Sequence, residues 1–140
     1  MDKIIISPSK YVQGEQVLSS IAHYVKSLGE KPLAIADEFV THLVGDTVKQ
    51  SFADEDVSLT TNIFNGECSR VEIERITDIC ATQQHDVIVG IGGGKTLDTA
   101  KAVAFYTNIP VVVVPTIAST DAPTSLSPLY ILQKVNFLNT

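Results

Sequence analysis

Apolar positions along the chain follow two alternating rhythms. Short continuous runs rich in Ile and Val have strand length: "KIIIS" near the start, "PLAIAD" at residues 32–37, then "VSLTTNIF", "DVIVGI" and "IPVVVVP". Between them apolar residues recur every three or four positions, the period of a helix buried along one face. Val17, Leu18, Ile21, Val25 and Leu28 form the first such stripe, closed by Gly29 and Pro32 as stop signals. Phe39, Val40, Leu43, Val44, Val48 and Phe52 form the second; Gly45 lies within it and weighs against a single unbroken helix. Ile73, Ile76, Ile79 and Cys80 form the third, with Ser69 as its N-cap and Glu72 three residues on, the spacing of a capping box. Thr96 to Tyr106 is helical and alanine-rich.

Strands alternating with helices predict an α/β fold: a mainly parallel, Rossmann-like sheet with crossover helices. "DVIVGI" and "IPVVVVP" lack polar alternation, as central strands covered on both faces do. The 140 residues suit one domain, and no repeat or linker divides them. The last stretch, "LSPLYILQKVNFLNT", breaks the rhythm: it has no capping residues, Pro128 interrupts it, and no further strand-helix unit is completed. Residues 1–127 therefore read as the α/β domain, expected to be incomplete, and 128–140 as a divergent tail.

Composition narrows the partners. A net charge of −6 opposes binding to nucleic acid or an anionic membrane, both of which need clustered Lys and Arg, so a small molecule is the expected partner. The first residues hold too short an apolar run for a signal peptide, and no run reaches about 18 apolar residues, so a cytoplasmic location is expected. Cys68 and Cys80 have no CxxC spacing and no neighbouring His pair; ordinary reduced thiols are expected.

The candidate chemistry gathers at "GIGGGKTLDTAK", Gly90 to Lys101. A Walker A loop would need glycine at position 89, which is Val89, and the fingerprint G-x-G-x-x-G meets Lys95 where its third glycine belongs. Both patterns fail, yet the physics behind them survives. A buried strand running through Gly92, Gly93 and Gly94 into a helix N-terminus leaves backbone amides open to a diphosphate, and Lys95 adds a cation. The alternative is a tight strand-to-helix turn with nothing bound. Further polar groups follow other strand ends: Asp37 after "LAIA", and Thr116, Ser119 and Asp121 after "VVVVP". In an open parallel sheet ligands bind there. Asp37 reads either as a helix N-cap or as an acceptor for a ribose 2′-hydroxyl, which would favour NAD over NADP. Asp98 reads as a residue complementing the helix dipole, with Lys101 within pairing reach, or as part of the cofactor site.

Together, "GGGKTLDTAK", "VPTIASTDAPTS", "IAD" and "SPSKYVQG" closely resemble the glycerol-oxidising bacterial branch of the iron-type (group III) polyol and alcohol dehydrogenase family, from the N-terminus to about Ser127. The resemblance implies the N-terminal half of the dehydroquinate synthase-like fold and an NAD-linked, metal-dependent oxidation of glycerol to dihydroxyacetone. It places Asp37 at the adenosine ribose, Gly94 and Lys95 at the pyrophosphate, Thr116, Ser119 and Ser125 at further parts of NAD, and Asp121 beside the polyol; the glycine turn read on its own adds Gly92, Gly93 and Asp98 to the candidate cofactor residues. Leu126 and Tyr130 match cofactor positions only if one residue is missing after Ser125. The family's metal, usually zinc for glycerol oxidation, is held by one aspartate and two histidines of a helical domain that has no counterpart here; His23, His42 and His85 match none of them. Homo-oligomers are usual in the family. The tail reads as a shifted frame or a truncation, and the chain alone is expected to be inactive. Two readings stand beside this one: a related lyase of the dehydroquinate synthase type, and a non-catalytic nucleotide-binding module.

Overall fold

A computed structural model describes residues 3–6, 10–12, 17–116, 128–133 and 135–138. In chain order they form β1 (Lys3–Ile6), β2 (Lys10–Val12), a 3₁₀ turn (Val17–Ser20), α1 (Ile21–Val25), β3 (Pro32–Ala36), α2 (Glu38–Asp54), β4 (Thr60–Ile63), α3 (Arg70–Thr82), β5 (Val87–Gly92), α4 (Gly94–Thr107), β6 (Val111–Pro115), β7 (Leu129–Leu132) and β8 (Val135–Leu138).

The main sheet has the order β2-β7-β6-β5-β3-β4. β4, β3, β5 and β6 run parallel, with Leu33 opposite both Thr60 and Ile88, and Val89 opposite Val112. Residues 129–132, assigned to the tail on sequence, form β7, which pairs antiparallel with β6 and places Tyr130 opposite Val113. β2 closes that edge against β7, and a separate two-stranded sheet pairs β1 with β8, Lys3 opposite Leu138.

The central strands carry no polar alternation because helices cover both faces. Ala34, Ala36, Val87, Val89, Ile91, Val112 and Val114 turn to one side, against Ile21, Val25, Val40, Val44, Val48 and Phe52 of α1 and α2. Leu33, Ile35, Ile88, Val111 and Val113 turn to the other, against Ile76 and Cys80 of α3 and Leu97, Ala100 and Val103 of α4. Val87, Ile88 and Val89 are wholly excluded from solvent. At about 1.5–3 kcal/mol for each fully buried aliphatic side chain, this layered packing is what holds the strands parallel.

Two helices depart from expectation. The 17-residue α2 runs unbroken through Gly45, where a Cβ would meet only the Thr41 methyl at 3.6 Å, so the glycine interrupts neither packing nor backbone. The first stripe is shorter than its periodicity: it starts as the 3₁₀ turn and continues for five residues as α1, ahead of Gly29. The buried Ser51 hydroxyl accepts the Ala22 amide at 3.0 Å and ties α1 to α2.

Candidate dinucleotide site

α2 leaves β3 toward one face of the sheet and α4 leaves β5 toward the other. The chain moves outward from β3 to β4 on one side and from β5 to β6 on the other, so a crevice opens between the carboxyl ends of β3 and β5. Asp37 and Gly92 stand at the same level there, each two residues beyond the Ile35–Gly90 pair. Thr116 closes the third strand end: its amide donates to the Gly92 carbonyl at 2.9 Å, and its side chain is buried.

The glycines divide the work of the turn. Gly90 lets α4 pack on β5, because a Cβ there would come within 2.6 Å of the Ala100 methyl. Gly92 has φ +147°, and a Cβ would press on Thr96 at 3.1–3.2 Å, so this residue makes the bend. At Gly93 and Gly94 a Cβ would meet nothing within 4 Å. Gly93 offers no side-chain cap, and the first bond of α4 runs from the Leu97 amide to the Gly93 carbonyl at 3.0 Å. The amides of Gly94, Lys95 and Thr96 precede that bond, at the positive end of a 14-residue helix. Thr96 itself is buried beneath the bend.

Asp37 performs the capping role that sequence allowed for it: its backbone is extended and Oδ1 accepts the Val40 amide at 2.7 Å. Its carboxylate is partly exposed and fixed at the crevice. Lys95 is exposed, with Nζ 3.1 Å from Glu67 Oε1. Asp98 lies one turn into α4, exposed, with Oδ1 3.8 Å from Lys101 Nζ. Tyr130 sits on β7 with its ring 4.9 Å from that of Tyr11, and β6 separates it from β5. Ser119, Asp121, Ser125 and Leu126 lie outside the described residues. Asp37, Gly92 and Thr116 thus stand at neighbouring strand ends, with Gly93 to Lys95 and then Asp98 leading into the helix that follows Gly92.

Glu67 escaped the sequence reading; the Asn65-Gly66 pair signals a turn, but nothing in the pattern links its acid to a lysine 28 positions later. Glu72, read as half of a capping box, behaves differently. Ser69 does cap α3 by accepting the Glu72 amide at 3.2 Å, but the Glu72 carboxylate is turned inward, 1% exposed, and accepts the Asn65 amide at 2.9 Å. Arg75 grips it with two bonds of 2.7 Å and also donates to the Ile63 carbonyl at 3.1 Å. These bonds hold the Glu72 carboxyl below its ordinary value of 4.5, the Arg75 pairing contributing most, against the opposing effect of burial. The β4–α3 loop bordering the crevice is anchored through this pair.

Among the described residues no three His, Cys, Asp or Glu side chains converge. His85 is buried with both ring nitrogens 3.0 Å from protein oxygens, the Lys31 carbonyl and Gln83 Oε1; His23 lies 3.8 Å from Glu55, and His42 is exposed on α2. Cys68 and Cys80 are both free thiols.

Comparison with known proteins agrees with this architecture. Glycerol dehydrogenase of Pseudomonas putida is 51% identical over 131 residues, covering 93% of this chain and 36% of that enzyme. Glycolaldehyde reductase of Halobacterium salinarum is 44% identical over 131 residues, again 93% and 36% of the two chains. The crystal structure of glycerol dehydrogenase from Schizosaccharomyces pombe superposes with a TM-score of 0.74 at 36% identity, covering 84% of this chain and 30% of that one. The chain spans about a third of the length of the curated relatives it matches. Residues 8–134 match the family model described as iron-containing alcohol dehydrogenase, and with the parallel sheet and the glycine turn at its switch point this makes the chain a member of that family.

Proposed function

We propose that this chain is the NAD-holding part of a glycerol dehydrogenase. Membership in the family implies a nicotinamide dinucleotide and a metal. The observation that carries the reading is the glycine turn: at the N-terminus of α4 a Cβ on Gly93 or Gly94 would meet nothing within 4 Å, and Asp37, fixed by the Val40 amide, stands level with Gly92 on the neighbouring strand at the switch point. The Gly94, Lys95 and Thr96 amides hold the diphosphate, and the Lys95 ammonium neutralises part of its charge. The Asp37 carboxylate, oriented by the Val40 amide at Oδ1, presents Oδ2 to the ribose hydroxyls and repels a 2′-phosphate, so NAD is preferred over NADP. On the family resemblance, Thr116, Ser119 and Ser125 would add to the cofactor surface, Leu126 and Tyr130 only if one residue is missing after Ser125, and Asp121 would stand beside the polyol.

NAD supplies the hydride acceptor for conversion of glycerol to dihydroxyacetone; this chain's residues bind and orient it. The described residues do not fit the metal, so none of them gathers the donors that would stabilise a developing alkoxide, and a carboxylate such as Asp121 has the wrong charge to do so. The chain alone therefore binds cofactor without turnover. A triphosphate-binding module is disfavoured because Thr96, which would serve its magnesium, is 3% exposed and packed under Gly92.

Ligand-observed NMR of the chain with NAD, challenged by NADP and by ATP with magnesium, tests the reading. NAD should bind, NADP should displace it at least about tenfold less well, consistent with a repelled like charge, and ATP should not compete. Displacement by ATP at lower concentration than NAD, or NADH formation from glycerol and zinc, overturns it.

A further inference from the structure

Lys95 is met at the mouth of the glycine turn by a carboxylate from a different element. Glu67 belongs to the loop between β4 and α3, and its Oε1 lies 3.1 Å from Lys95 Nζ. The backbone that presents it is pinned on several sides. The Glu67 amide donates to Asn65 Oδ1 at 2.9 Å, the Glu67 carbonyl accepts the Ser69 amide at 3.0 Å, and Gly66 supplies the turn with φ +103°. The Asn65 amide is in turn held by the buried Glu72, itself clamped by Arg75. A chance meeting of two long surface side chains would not need this scaffolding, whereas a carboxylate meant to stand at one place would.

The head groups remain in water, with the Lys95 and Glu67 side chains 65% and 72% exposed. Such a pair is weak, so an incoming anion can open it. A carboxylate oxygen at hydrogen-bond distance from Lys95 occupies the position that a phosphate oxygen would take, and its charge repels that phosphate. We propose that Glu67 is a built-in competitor for Lys95, which lowers the affinity of the glycine turn for diphosphate ligands so that they release readily. This inference rests on the dinucleotide reading of the same turn, and Glu67 acts on that ligand through Lys95, as a regulating residue outside the binding set.

The test is calorimetric titration of the full chain and its Glu67→Gln, Glu67→Ala and Glu67→Asp variants with NAD, inorganic pyrophosphate and adenosine, at about 20 mM and about 300 mM salt, where screening differs severalfold. Glu67→Gln and Glu67→Ala should bind NAD and pyrophosphate about two- to fivefold more tightly than the parent at low salt, the range of an exposed ion pair. The gain should shrink at high salt, Glu67→Asp should stay near the parent, and adenosine, which has no phosphate, should bind all four alike. Unchanged or weaker pyrophosphate binding by folded Glu67→Gln and Glu67→Ala overturns the proposal, as does an equal gain for adenosine. Failure of the parent to bind NAD or adenosine overturns the dinucleotide reading instead, and pyrophosphate still decides the role of Glu67.

Discussion

Gly90 on β5 and Ala100 on α4 touch so closely that the glycine hydrogen occupies the only space between strand and helix: a methyl there would sit 2.6 Å from the Ala100 Cβ. The contact sets how near α4 lies to the sheet, and hence where the amides of its first turn point. Gly90→Ala should cost about 1–3 kcal/mol, the usual penalty for overfilling a packed core. Adding Ala100→Gly should recover part of that loss despite the poorer helix residue, so that the two changes are less than additive in urea unfolding. Additive losses would show that the contact is not the constraint.

Gly92 and Gly93, which follow, make different predictions. Gly92→Ala forces a side chain into φ +147° against Thr96 and should destabilise by about 1–3 kcal/mol. At Gly93 an added Cβ meets nothing within 4 Å, so Gly93→Val should cost at most about 1 kcal/mol, for a poorer N-cap residue, while NAD affinity should drop at least about tenfold because the branched side chain shields the amides. Thermal unfolding and NAD titration of the same two variants separate the residue that shapes the turn from the residue that leaves it open.

Asp37 carries two roles that one substitution can split. Asp37→Ser keeps an N-cap acceptor for the Val40 amide and should stay within about 0.5 kcal/mol of the parent, while Asp37→Ala should lose about 0.5–2 kcal/mol. Both should lose the preference for NAD over NADP, read as a ratio of dissociation constants approaching one. A retained preference in Asp37→Ser would mean that the ribose is discriminated elsewhere.

Arg75→Met leaves the Glu72 carboxylate buried with the Asn65 amide as its remaining donor outside its own helix, at a cost of about 1–3 kcal/mol near neutral pH. Glu72 has a folded-state pKa below its ordinary 4.5, so the unfolded chain takes up its proton first as pH falls. Its stabilising effect is therefore complete above that ordinary value and is lost as pH drops through the depressed one. The variant should show a shallower decline of stability below pH 4.5 than the parent, in denaturant titrations across the acid range.

The periodic code gave away what burial controls. The strands "PLAIAD", "DVIVGI" and "IPVVVVP" and the Ser69 cap are legible because solvent exclusion on two faces leaves uninterrupted aliphatic runs and because a cap is a local event. Asp37, the glycine turn and Thr116 were legible as a group because parallel strands place their carboxyl ends side by side. The unbroken α2 was not, since the cost of Gly45 is offset by the buried stripe of Val40, Val44, Val48 and Phe52. Glu67 and the inward turn of Glu72 were invisible for a different reason: Lys95 is brought to Glu67 only by the crossover, and Glu72 is turned by the nearby Arg75 and the Asn65 amide, contacts that leave no period in a sequence. Strand β7 was missed because an antiparallel strand at the border of a parallel sheet follows no strand-helix cadence.

The pairing of β2 with β7 and of β1 with β8 has a consequence for how the molecule is made. A strand that leaves the ribosome among the first dozen residues finds its neighbour only when residues 129–138 have been synthesised. The parallel core can assemble from contiguous chain, but this border is a late seam, joined after translation has passed the whole core. Contacts of such sequence separation are slow to form. A nascent chain stalled before residue 128 should thus expose the flank of β6, the place where a chaperone or a second nascent chain would gain its first hold.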